Sequence, residues 1–181
     1  MKTIFSWRPE KTLYKRPDLK IFRNFVKEAV RVTGCGITKC LSIAFVSAEE
    51  MKRANESLVG HTGLTDVICF DYRESFMPQI PMEEGFDGMD EEEESMAEVD
   101  LIVCPAAAEI QGGKRNIPYG RELALYVVHG LLHAAGNDDL QPSLKRKMRR
   151  REKQCMDELE KLFDLEKLFS EPVRREARKT V

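Results

Sequence analysis

His129-Gly130-Leu131-Leu132-His133-Ala134-Ala135-Gly136-Asn137-Asp138-Asp139 is the stretch from which the rest of the chain can be read. His129 and His133 are four positions apart, so on a helix both imidazoles leave one face, a turn above each other, and can hold a single metal ion. Gly136 is placed to end that helix in a left-handed turn, which reverses the chain and lets Asp139 return to the same ion. Three protein ligands leave the fourth tetrahedral position to water, as in a catalytic zinc site and unlike a closed structural one. The expectation is one zinc per chain, bound by His129, His133 and Asp139, with no catalytic residue assigned beyond that water. Carboxylate oxygen binds zinc at about 2.0–2.2 Å. An anionic ligand should leave the metal a weaker Lewis acid than three histidines would.

Two alternatives stay open. Asp138 competes with Asp139, or orients a histidine from behind the metal, although the spacing favours Asp139. The whole stretch can also be read as two ordinary helix histidines followed by two capping aspartates. Against that, the chain has only 3 histidines, and two of them fall in this spacing. The glycine and the acid then follow at the offsets of the extended metal-binding pattern. The residue after the first histidine, a glutamate base in metalloproteases of this pattern, is Gly130 here. A small metalloprotease would therefore lack its base. A phosphodiester needs less from that position, because a metal can both activate water and neutralise phosphoryl charge.

Working outward, Pro118 sits at the first turn of the motif helix, which runs through Glu122, Tyr126 and His129 to about Ala135. Upstream, Ile21, Phe22, Phe25, Val26, Ala29 and Val30 recur at helical spacing and stop before Gly34. Leu41–Val46 reads as a strand, and Ser47 with Glu50 forms a capping box for a helix ending near Asn55. Val59–Leu64 reads as a loop, Thr65–Phe70 as a buried central strand, and Val99–Cys104 as another strand. Pro142 opens a helix with Leu144, Met148, Cys155, Leu159 and Leu162 on one stripe.

A chain of 181 residues, 42% apolar and 33% charged, suits one globular domain. The division read here is a single metal-hydrolase domain over 1–170, interrupted at about 74–96 by an acidic, Pro/Gly-broken mobile insertion, with a polar tail over 171–181. No apolar run approaches the roughly 20 residues of a membrane span, and the N-terminus lacks the apolar core of a signal peptide. A cytoplasmic protein without a membrane partner is expected. The 5 cysteines form no CxxC pair and are expected reduced and mostly buried, with Cys69 and Cys104 as core packing. The net charge of -2 conceals segregation: Lys2–Arg31 is mostly basic, Glu83–Asp100 acidic, and Lys145–Lys153 basic again. A nucleic-acid partner is therefore compatible with the near-neutral sum. The last run is either a phosphate clamp or a solvated helix face.

At these residues the chain resembles the YbeY family of bacterial endoribonucleases, or rRNA maturation factors, whose pattern HGxLHLxGYDH stands here as HGLLHAAGNDD. The likeness extends to Asn55, to Thr65-Asp66-Val67-Ile68-Cys69-Phe70 against a TDVLSF strand, and to Val99-Asp100-Leu101-Ile102-Val103 against GDIxI, covering roughly Leu13 to Leu140. It implies an α/β (α+β) fold of one domain, with a small central mixed sheet packed with helices. It further implies zinc, single-stranded RNA as substrate, the small ribosomal subunit as partner, and a role in 16S rRNA maturation and ribosome quality control. Thr65 and Asp66 would border the substrate cleft. Two departures matter. Asp139 replaces the family's third histidine, and Val59 replaces a family arginine, for which His61 is a candidate stand-in. They motivate an alternative, a catalytically weak or inactive ribosome-assembly factor of the same fold.

Overall fold

Phe22, Phe25, Val26 and Ala29 recur every three or four positions and are fully buried along one side of helix α1, Leu19–Thr33. Ile21, expected on that face, is 51% exposed, because the apolar stripe is narrower than the run of apolar letters. The helix starts at Asp18, whose Oδ1 accepts the amide protons of Lys20 at 2.8 Å and Ile21 at 3.0 Å. It ends at Gly34 with φ 69°. Replacing Asp18 with alanine leaves two first-turn amides without a side-chain acceptor and is expected to cost about 1 kcal/mol. The check is a lower urea midpoint at unchanged slope.

The computed structural model of the chain describes residues 1–73 and 97–173. The acidic insertion expected at 74–96, and residues 174–181 of the tail, lie outside the described residues. The start of the tail is tied down: the Val173 amide donates to the Leu13 carbonyl at 2.9 Å.

The remaining strands are β1 (Lys2–Trp7), β2 (Cys40–Phe45), β3 (Val67–Asp71) and β4 (Val99–Val103). The remaining helices are α2 (Ala48–Ala54), α3 (Pro105–Arg115), α4 (Tyr119–Ala134), α5 (Pro142–Leu159) and α6 (Leu165–Leu168). The capping box that opens α2 is present, with Ser47 Oγ accepting from the Glu50 amide at 3.2 Å and Glu50 Oε2 from the Ser47 amide at 3.0 Å. A π-helical turn, Asn55–Val59, then carries the chain to Gly60 at φ 78°. Pro118 lies just before α4, as its cap residue. On α5, Met148, Cys155, Met156 and Leu159 are buried, while Leu162, expected on that stripe, lies beyond the helix and is 57% exposed.

The sheet order is β1-β2-β4-β3. β1, β2 and β4 run parallel, with Phe5 opposite Ile43 and Ile43 opposite Leu101. β3 runs antiparallel to β4, with Cys69 opposite Leu101. The fold is therefore mixed α/β as expected, with one correction. The Thr65–Phe70 segment is an edge strand, not a central one, and only Ile68 in it is fully buried. An apolar β-branched run marks a strand with covered faces, but does not say whether both of its hydrogen-bonding sides are paired.

All layers share one hydrophobic core, in which the sheet residues Leu41, Ile43, Phe45, Leu101 and Val103 meet α1 and α4. Four of the five cysteines are buried, Cys69 being half-buried, and all five are free thiols. Among the described residues no helix is long and apolar enough to cross a membrane.

Candidate metal centre

Helix α4 is buried along most of its length, so its position on the sheet fixes where its histidines emerge. Gly130 makes that position possible: a Cβ there would lie 2.8 Å from Leu101 Cδ2 and 3.1 Å from Val67 Cγ2. His129 is one residue earlier and His133 three residues later on the same helix. Their Nε2 atoms lie 3.0 Å apart. At the helix end Gly136 has φ 76°, and the Asn137 amide and side-chain Nδ2 both donate to the Leu132 carbonyl, each at 3.0 Å. The chain reverses, bringing Asp139 Oδ1 to 3.9 Å from His133 Nε2.

One ligand atom from each of His129, His133 and Asp139 lies within 4.8 Å of the others. Asp138 is engaged elsewhere, its Oδ1 accepting the Leu140 amide at 3.0 Å. The structure thus brings together the three residues singled out by spacing.

Sequence spacing gave no sign of Glu152. Its Oε1 accepts from His129 Nδ1 at 2.6 Å, which leaves Nε2 of that ring facing the cluster. Burial opposes charge on His129, but the Glu152 hydrogen bond, with the charges of Asp66, Glu152 and Asp139, outweighs it and raises its pKa. His133 is lowered, by burial and then by His129 beside it. A carboxylate behind a ligating histidine fixes the ring and raises its basicity.

The cluster opens into a cleft of about 870 Å³. Thr65 and Asp66 line it, just before β3. Asp66 Oδ1 accepts from Thr65 Oγ1 at 3.1 Å and from the Val67 amide at 2.9 Å. His61 is exposed and is not among the described residues that line the cleft, and Val59 is 41% exposed on the π-helical turn. The cations that do face the cleft are Arg115 from α3 and Lys145 and Arg149 from α5. Helical phase therefore divides the basic run, with Lys145, Met148, Arg149 and Glu152 turned inward. Arg115 Nη1 donates to Glu122 Oε1 at 3.2 Å. Glu122 is wholly buried, and its Oε2 has no partner among the described residues. Burial raises the Glu122 pKa, while the charge of Arg115 opposes that rise.

The family described as Endoribonuclease YbeY matches residues 8–160. The chain belongs to this family. A protein named Endoribonuclease YbeY from Salinibacter ruber is 33% identical over 140 residues, 77% of this chain and 82% of its own length. One of the same name from Clostridium botulinum is 29% identical over 139 residues, 75% of this chain and 84% of its own. The solution structure of TM1509 from Thermotoga maritima covers 96% of this chain and 99% of its own at a TM-score of 0.50 and 21% identity, a likeness of fold. The family's description and the names of these relatives are those of endoribonucleases.

Proposed function

We propose that the chain is a zinc-dependent endoribonuclease acting on single-stranded RNA, in 16S rRNA maturation and ribosome quality control. The observation that supports it most is the convergence of His129, His133 and Asp139 with Glu152 behind His129. The donor set fits zinc: two imidazole nitrogens and a carboxylate oxygen, with fourth-site access from an open cleft. The 3.0 Å between the histidine nitrogens is close to the separation of roughly 3.3 Å that tetrahedral bonds of about 2.0–2.1 Å require. Asp139, at 3.9 Å and with its side chain 31% exposed, has room to close the rest. Bound there, zinc would supply a Lewis acid for the phosphoryl group and acidify water.

The chain's own residues account for the remaining needs. Glu152 holds the His129 ring in the tautomer that offers Nε2. Arg115 on one wall and Lys145 and Arg149 on the other pair with backbone phosphates, the contact that dominates RNA affinity. Glu122 anchors Arg115, so that its guanidinium is placed before substrate arrives. The metalloprotease reading loses ground for a steric reason, since position 130 faces Leu101 and Val67 and cannot carry a glutamate into the cleft.

Protein purified without chelator is expected to hold about one zinc per chain and to cut single-stranded RNA, with both lost on chelation and restored by zinc. Folded, metal-free protein that binds ribosomal particles without cutting RNA would establish the assembly-factor alternative. Glu152→Gln keeps the shape but removes the charge behind His129, and is expected to weaken zinc binding about 10–100-fold. Competition with a chelator of known affinity reads this directly.

A further inference from the structure

A second cleft lies at the β1 edge of the sheet, the opposite edge from β3. It holds about 450 Å³ and is lined by Phe5, Trp7, Lys11, Tyr14, Lys15 and Arg16. Phe5 and Trp7 are two apart on β1, so their rings leave one face of the strand. They stack at 6.2 Å between centroids and 21° between planes. Behind them Phe45 packs at 5.7 Å from Phe5 and 4.9 Å from Trp7, yet both rings are only half-buried. Tyr14 closes the wall. Its carbonyl accepts from Trp7 Nε1 at 3.4 Å, and its hydroxyl donates to Glu109 Oε2 at 2.6 Å. The rings are therefore held in place without a ligand.

The rim has one sign of charge. Lys11, Lys15 and Arg16 are all exposed, and the Arg16 guanidinium lies 5.1 Å from the Phe5 centroid. Among the described residues that line this cleft there is no carboxylate, whereas the metal cleft includes Asp66, Asp139 and Glu152. Rings partly open to solvent, with cations beside them and no acid among the described residues that line the cleft, match what unpaired nucleic acid offers: flat bases with phosphates between them.

We propose that this cleft is a second binding site for single-stranded RNA, stacking bases on Phe5 and Trp7 and pairing their phosphates with Lys11, Lys15 and Arg16. It holds a strand away from the metal centre. The choice of RNA over other polyanions rests on the nuclease family, and the aromatic floor is what a purely phosphate-binding or lipid-facing patch would not need.

Trp7 is the 1 tryptophan of the chain, so its emission reports this cleft selectively. The full chain carrying His133→Ala, stripped of metal so that nothing is cut, is titrated with a short single-stranded oligoadenylate. Saturable quenching is expected. Lys11→Ala, Lys15→Ala and Arg16→Ala combined should weaken it at least tenfold. They should also flatten the log–log salt dependence by about 2, at roughly 0.7 per phosphate released. Absence of quenching, or quenching unchanged in the triple variant, overturns the proposal. Equal quenching by inorganic polyphosphate or by anionic phospholipid vesicles overturns it as well, because neither carries a base. The two readings fail separately: quenching without cleavage in the zinc-loaded wild type sinks the nuclease proposal alone, and cleavage without quenching sinks this one alone.

Discussion

Asp139→Ala is expected to lower zinc affinity by more than about 100-fold, above the range for loss of a group that merely orients a ligand, and to take RNA cleavage down with it. Of the three proposed ligands, Asp139 is the one outside helix α4 and the anionic one, so with metal bound its loss would remove both a bond and a charge that offsets the cation. Asp138→Ala is the internal control. Its carboxylate caps the Leu140 amide, and its removal should leave metal content at wild-type level. Equal losses in the two variants would mean that the turn after Gly136, and not ligation by Asp139, sustains the site. Asp139→His adds a sharper test. A neutral third ligand leaves more positive charge at the centre, so water there ionises more readily and the rising limb of the pH–rate profile should move to lower pH. Chelator competition and cleavage rates across pH measure both effects.

Local signals carried the parts of the fold that local signals can carry. The α1 stripe, the Ser47–Glu50 box and the His129–Gly136 offsets all reside within one or two helical turns, where side-chain phase and capping chemistry are set by near neighbours. β1 was not legible, because KTIFSW becomes a strand through parallel pairing with Cys40–Phe45, which lies far along the chain. Helix α3 escaped for a different reason. It carries two glycines, of which Gly112 lets the helix approach the Ile117 carbonyl, which a Cβ would meet at 2.8 Å, a contact that lies outside any local pattern.

The same boundary divides the site. Ligand spacing along α4 was readable, but the Glu152 contact to His129 crosses from α5 to α4, and Glu152 sits in a run whose letters advertise positive charge. Arg115 and Glu122 pair across the junction of α3 and α4, so neither helix alone announces them. What sequence periodicity could have offered is the inward phase of Lys145, Arg149 and Glu152, had the α5 stripe been extended to the charged positions beside Met148.

Gly130→Glu rebuilds the histidine–glutamate motif of metalloproteases in the sequence, and it is expected to destabilise the protein rather than convert it. Replacing a mid-helix glycine gains up to about 1 kcal/mol of helix propensity. Against that, the new Cβ meets Leu101 Cδ2 at 2.8 Å, and Leu101 is fully buried in the sheet, so its methyls have little space to yield. Overpacking of this kind costs about 1–3 kcal/mol. A carboxylate driven into the helix–sheet interface adds several more kcal/mol through lost solvation. The expected net loss is about 3 kcal/mol or more, read as a fall in urea midpoint and a pH dependence of definite sign. The buried glutamate would have its pKa raised, so the folded variant gains relative stability as pH drops through the carboxylate range and loses it as pH rises. Gly130→Ala, which brings the clash without the charge, should lie between the variant and wild type and show no such pH dependence. If Gly130→Glu keeps the wild-type midpoint, α4 does not press on β3 and β4 as described, and the steric argument against a protease fails with it.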